Sequence, residues 1–110
     1  MIFSILIEMT IFMQFREFDW DQSKRYSNIE KHRIDFAAVP PIFDGHCLIR
    51  EDNRQDYQEI RMCLLGQLNG IICYVVYTIR GETCRLISAR RANERERRKY
   101  QESIPQDGDC

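Results

Sequence analysis

Thirteen arginines and three lysines are spread unevenly along this chain, and their placement carries its clearest chemical signal. Eight of the sixteen fall between positions 80 and 99, against three acidic residues, a local charge of +5. Residues 1–79 carry −3 and residues 100–110 another −3. The net charge of −1 over 110 residues therefore does not exclude a polyanionic partner. An arginine guanidinium is always charged, and its fork matches two phosphate oxygens at once. Arg61, Arg80, Arg85 and Arg90 stand in or at the ends of strand-like runs, from which they could converge on one sheet face or rim. His32 is a candidate to give and take a proton, because an unperturbed imidazole titrates near neutrality. Lys31 beside it could hold a phosphate, and Glu59 is a second possible base. Structural roles compete with each of these. A histidine at a helix C-terminus serves the helix dipole, and Arg61 and Arg85 could instead pair with Glu59 and Glu82.

The cysteines point away from metal chemistry. Cys47, Cys63, Cys73, Cys84 and Cys110 are odd in number and contain no Cys-x-x-Cys pair. Cys63, Cys73 and Cys84 lie in apolar runs, where cysteine acts as a small hydrophobe. His46-Cys47 is one adjacent pair without a second. Neither a disulfide framework nor a metal site nor a cofactor is expected, and the compartment expected is a reducing cytoplasm. Met1 to Phe12 is mostly apolar but lacks a basic start and a small-residue cleavage site, and it is too short to span a bilayer. It reads as an N-terminal extension over residues 1–12, with Met13 a candidate start. Residues 13–102 read as one domain and residues 103–110 as a frayed polar tail.

The elements that must position the arginines follow from periodicity and turn residues. Phe15 to Trp20 reads as a short strand with a slip between Phe15 and Phe18. Asp19 or Asp21 then caps a mostly polar helix, Gln22 to Arg33, with Tyr26 and Ile29 as a narrow apolar stripe. Lys31, His32 and Arg33 crowd its last turn. Asp35 can cap a second, shorter helix over Phe36 to Val39, which Pro40-Pro41 confine. Strands are expected over Cys47 to Arg50, Gln58 to Gly66, Ile71 to Ile79 and Thr83 to Ala89. On the last, Cys84, Leu86 and Ser88 should alternate with Arg85, Ile87 and Ala89. Asn69-Gly70 is a two-residue hairpin signal, and Arg80-Gly81-Glu82 another turn. Asn93 and Glu96 resemble a capping box for a final helix, Glu94 to Gln101. The fold class is α+β: a small antiparallel sheet of four to five strands, with two N-terminal helices and one C-terminal helix.

In that order the pieces resemble the BrnT family of toxins from bacterial type II toxin–antitoxin systems. They are Phe18-Asp19-Trp20-Asp21, Lys31-His32, Phe43-Asp44, Glu59-Ile60-Arg61, Leu65-Gly66 and the run from Val75 to Gly81. Arg85 to Ala92 follows, then Glu96-Arg97-Arg98-Lys99-Tyr100. The strand-to-helix piece, Ser88-Ala89-Arg90-Arg91-Ala92 followed by Glu96-Arg97 and Tyr100, is the most specific. Pro40-Pro41 interrupt a place where the family has a full second helix, and the first twelve residues have no counterpart. The resemblance implies a RelE-like fold, ribonuclease activity that inhibits translation, and neutralisation by a BrnA-like antitoxin with a ribbon-helix-helix module. Operator DNA would be reached only through that antitoxin, and no membrane is involved.

Ribonuclease chemistry of this kind can proceed without metal, because the RNA supplies its own 2′-hydroxyl as nucleophile. The protein must then orient it, move protons and stabilise charge on the phosphate. The candidates for that work are His32, Lys31, Glu59, Arg61, Arg80 and Arg85. Arg90, Arg91, Arg95, Arg97 and Arg98 form a second set. They either bind RNA or an acidic antitoxin segment, or they are simply a solvated helix face. A non-catalytic module that only grips nucleic acid or antitoxin remains the alternative.

Overall fold

The computed structural model describes residues 15–53 and 58–105. The extension over residues 1–12, the start at Met13 and the last five residues lie outside that range. Five strands form one sheet: β1 (Glu17–Trp20), β2 (Leu48–Glu51), β3 (Arg61–Leu68), β4 (Ile71–Arg80) and β5 (Thr83–Arg91). Two α-helices accompany them, α1 (Gln22–His32) and α2 (Glu94–Ser103). The α+β class holds, but the sheet is mixed. Its order is β1-β5-β4-β3-β2, and β1 runs parallel to β5 while the other neighbours are antiparallel. The helix that follows β1 meets β5 farther along, where Asn28 bonds Ala89.

Local chemistry accounts for most element ends. The Asp21 carboxylate accepts from the Ser23 and Lys24 amides and starts α1. Arg33, with φ 61°, closes that helix in the left-handed region. Asn69 and Gly70 both have positive φ (52° and 84°), as the β3–β4 hairpin requires. The capping box of α2 is complete, and the helix extends two residues past Gln101 to Ser103. In place of a second α-helix the chain makes two 3-10 turns, Phe36–Ala38 and Pro40–Asp44. Asp35 caps the first, and Pro40 opens the second, where its missing amide costs nothing.

Both sheet faces are partly covered. One face carries Leu64, Cys73, Val75, Tyr77, Cys84, Leu86 and Ala89 under the two 3-10 turns. Phe36 and Ile42 from those turns, and Val39 between them, are fully buried, each worth about 2 kcal/mol of apolar burial. Phe15 and Phe18 pack edge-to-face at 5.7 Å and join this core from just before and within β1. On the other face Leu65, Ile72, Ala92 and Tyr100 form a smaller cluster where α2 covers one end. Among the described residues, no helix or turn covers the remainder of that second face, called the open face below.

Two further sequence expectations fail for identifiable reasons. Tyr26, expected on the apolar stripe of α1, is 61% exposed. The residue that α1 buries is Asn28, whose amide bonds both the N–H and the carbonyl of Ala89 and the carbonyl of Ile34. It stands in for the strand that β5 lacks beyond β1. The simple alternation expected in β5 also breaks. Val76 faces Ser88 but Tyr77 faces Leu86, so Ile87 is an extra residue in a bulge. Ala89 therefore rejoins Cys84 and Leu86 in the core, away from Arg85.

Candidate active site

The bulge at Ile87 decides whether Arg85 and Arg90 share a surface. In a regular strand Arg85 and Arg90, five residues apart, would point to opposite faces. With one residue inserted between them, both fall on the open face. Register then aligns the rest: Arg61 lies across from Thr78, and Thr78 across from Arg85. The three form one cross-strand row, with Arg61 and Arg85 about 10 Å apart at the backbone. Arg80 is two residues beyond Thr78, on the same face.

Strand β3 begins at Arg61, not at Gln58 as expected, so Glu59 sits in the approach to the sheet. From there its carboxylate accepts two bonds from Arg80, at 2.8 and 3.0 Å. That pair holds the Glu59 carboxyl below the usual carboxylate range, with the charges of Arg85 and Arg61 acting in the same sense. On the far side of the row, Arg85 pairs with Asp19 at 3.2 Å. Thr78 is buried and donates to the Ile60 carbonyl at 2.7 Å, which anchors the middle of the row.

These residues surround a cavity of about 180 Å³ lined by Asp21, Lys24, Glu59, Arg61, Thr78, Arg80, Arg85, Leu86 and Ile87. Four cations face two carboxylates there. Such a hollow can hold a phosphate and polarise it while keeping a carboxylate within reach. Lys24 lies outside the candidates that residue type and motif mark in the sequence. Its signal is a cation in the first turn of α1, where the helix dipole favours the opposite charge.

The other candidates lie elsewhere. His32 and Lys31 end α1, eight and seven residues past Lys24, or about 12 Å farther along the helix, and neither lines the cavity. Arg90 shares the open face but is held by Glu96 at 2.9 and 3.0 Å and stacks over the Tyr74 ring at 4.2 Å. Arg91 stands across from Cys73, on the opposite face. Arg95, Arg97 and Arg98 lie on exposed positions of α2, with Arg98 paired to Glu94. Arg95 and Lys99 border a larger cleft of about 380 Å³ between α2 and strands β2 and β3.

The remaining reactive groups are locked into the fold. His46 bonds Ser103 at 2.9 Å, and its own carbonyl accepts from Tyr100 at 2.8 Å, so it ties the β2 approach to α2. Cys47 is buried and donates to the Ile42 carbonyl, and burial pushes its thiol up to about 12. Cys63, Cys73 and Cys84 are likewise buried thiols in the sheet. No described helix is long and apolar enough to cross a membrane.

No curated protein matches the chain. A family model does. It is described as ribonuclease toxin, BrnT, of type II toxin-antitoxin system, and it matches residues 20–96, well over half of the chain and every residue that lines the cavity.

Proposed function

The chain belongs to the BrnT family of ribonuclease toxins of type II toxin–antitoxin systems, and from that premise we propose that it cuts RNA at the cavity around Glu59, Arg61, Arg80 and Arg85. Membership in a type II system also implies an antitoxin protein as partner. The observation that carries the catalytic reading is the row Arg61–Thr78–Arg85 beside the Arg80–Glu59 pair. In the proposed reaction a ribose 2′-hydroxyl attacks the adjacent phosphorus. The bond to the 5′ oxygen breaks, leaving a 2′,3′-cyclic phosphate and a 5′-hydroxyl. Arg61, Arg80 and Arg85 hold the non-bridging oxygens and take up the charge that grows on them.

Glu59 accepts the 2′-hydroxyl proton. Its lowered basicity makes it a modest base, so charge stabilisation by the arginines supplies most of the rate. Lys24 is the cation placed to protonate the leaving oxygen. His32 and Lys31 stay outside this catalytic set. Because RNA brings its own nucleophile, the reaction runs without metal, and cutting messenger RNA in the cytoplasm inhibits translation. The partner is a BrnA-like antitoxin whose ribbon-helix-helix module contacts operator DNA.

A second reading has its own observation. Arg80, Arg85 and Arg90 each already hold a carboxylate, as arginines serving only the sheet would. In that reading the chain binds antitoxin or nucleic acid without cutting. Incubating the purified chain with RNA in excess EDTA separates the two. Cleavage leaving cyclic phosphate ends is expected. Intact RNA, or cutting that appears only with added divalent metal, would sink the catalytic reading.

A further inference from the structure

The larger cleft has a different chemistry from the arginine cavity, on the same open face. Its floor is apolar, built by Leu48, Leu65 and the side of Tyr74, and its rim carries Arg50, Arg95 and Lys99. The one rim carboxylate, Glu96, is already neutralised by Arg90. At about 380 Å³ it is large enough to take one or two side chains.

Two features argue against RNA as its occupant. Bases bind by stacking on aromatic faces, and the only aromatic ring in the lining, Tyr74, carries Arg90 over it. The polar groups that could read a base edge, Asn93 and Glu96, are committed to each other in the capping box. Aliphatic walls with a cationic rim fit apolar side chains flanked by carboxylates. The wall of the cleft formed by β2 is also the last strand of the sheet, so among the described residues its outer edge is open for an added strand.

We propose that this cleft docks an extended, acidic segment of the antitoxin, with an apolar side chain on the Leu48–Leu65 floor and carboxylates on Arg50, Arg95 and Lys99. The proposal rests on the protein partner named above and assigns it a place. It also gives neutralisation a geometry. The Leu65–Tyr74 row and the Arg61–Thr78 row are four residues apart along the strands, about 13 Å. A segment seated in the cleft reaches the arginine cavity within a few more residues and competes there with phosphate.

The test measures binding of the full chain to the antitoxin encoded beside it. The double variant Arg95→Glu, Lys99→Glu is compared with Arg97→Glu, Arg98→Glu on the same helix but outside the cleft lining. The first pair is expected to weaken binding at least tenfold and the second to leave it within about twofold. A 2′-O-methylated hexauridylate, which cannot be cut, provides the RNA arm. Unchanged antitoxin affinity in Arg95→Glu, Lys99→Glu would overturn the proposal. So would loss of the oligonucleotide by that variant in place of the antitoxin, or loss of self-association with antitoxin binding intact. RNA cleavage by the wild-type chain is scored separately, so an inactive enzyme with a cleft-dependent partner would sink only the catalytic reading.

Discussion

The Glu59 carboxylate receives both donors of the Arg80 fork, at 2.8 and 3.0 Å, and so joins the approach to β3 to the last residue of β4. The pair is about half exposed, at 52% and 45%, so it contributes little to stability. Its value is in orientation. Arg80→Ala is expected to lower RNA cleavage about a hundredfold while barely moving the melting temperature. A large loss of stability with unchanged cleavage would show the pair to be structural.

The same pair sets a pH dependence. Glu59 must be ionised to accept a proton, and Arg80 holds its carboxyl below the ordinary 4.5. The rate should therefore fall on the acid side only below about pH 4.5. A profile that halves near pH 6.5, where an ordinary imidazole titrates, would move the base from Glu59 to a histidine. In that event His32→Ala, and not Glu59→Gln, abolishes the limb.

Asn28 is buried and makes three hydrogen bonds to backbone. Asn28→Ala leaves the Ala89 amide and carbonyl without partners at the edge of β5. The expected cost is about 3 kcal/mol, read as a shift in the denaturant midpoint. Asn28→Asp should recover little, because a carboxylate cannot donate to the two carbonyls.

Gly66 is a packing glycine. A Cβ there would stand 2.5 Å from Ile42 and 3.1 Å from Leu64, where the Pro40–Asp44 turn sits on β3. Gly66→Ala is expected to destabilise by about 1–3 kcal/mol, because a tight core cannot yield that space. A neutral result would mean that the turn moves aside without cost.

Glu96 accepts from both Arg90 nitrogens and from the Asn93 amide. Arg90 first, and then the cap, hold its carboxyl below the usual range. A depressed carboxylate stabilises the fold fully above its unfolded value, near 4.3, and loses that contribution as pH falls through its folded value. Glu96→Gln should therefore cost about 1 kcal/mol at pH 7 and progressively less as pH falls below about 4.3. Thermal melts across that range check both the size and the sign.

What is local in this protein was legible in its residues. Asp21 and Asn93 announced two helix starts, and Asn69-Gly70 announced a hairpin. The apolar run after Gly70 marked the long central strand β4, and the concentration of arginine marked the basic segment. Each of these depends on contacts within a few residues, which periodicity and cap chemistry encode directly. The shared face of Arg61, Arg80 and Arg85 was named only as a possibility, because register between strands leaves no trace in spacing. The bulge at Ile87, the parallel seat of β1 and the burial of Asn28 were not legible at all. The seats of β1 and of Asn28 on β5 are contacts between segments some sixty residues apart, and the bulge lies in the pairing of β4 with β5. His32 stood out for its chemistry, but α1 ends away from the cavity that Lys24 lines at its start. Residue type determined which groups could do chemistry here; strand pairing decided which of them meet, by aligning Arg61, Thr78 and Arg85 and bringing Arg80 to Glu59, because register between segments is fixed by packing and not by spacing.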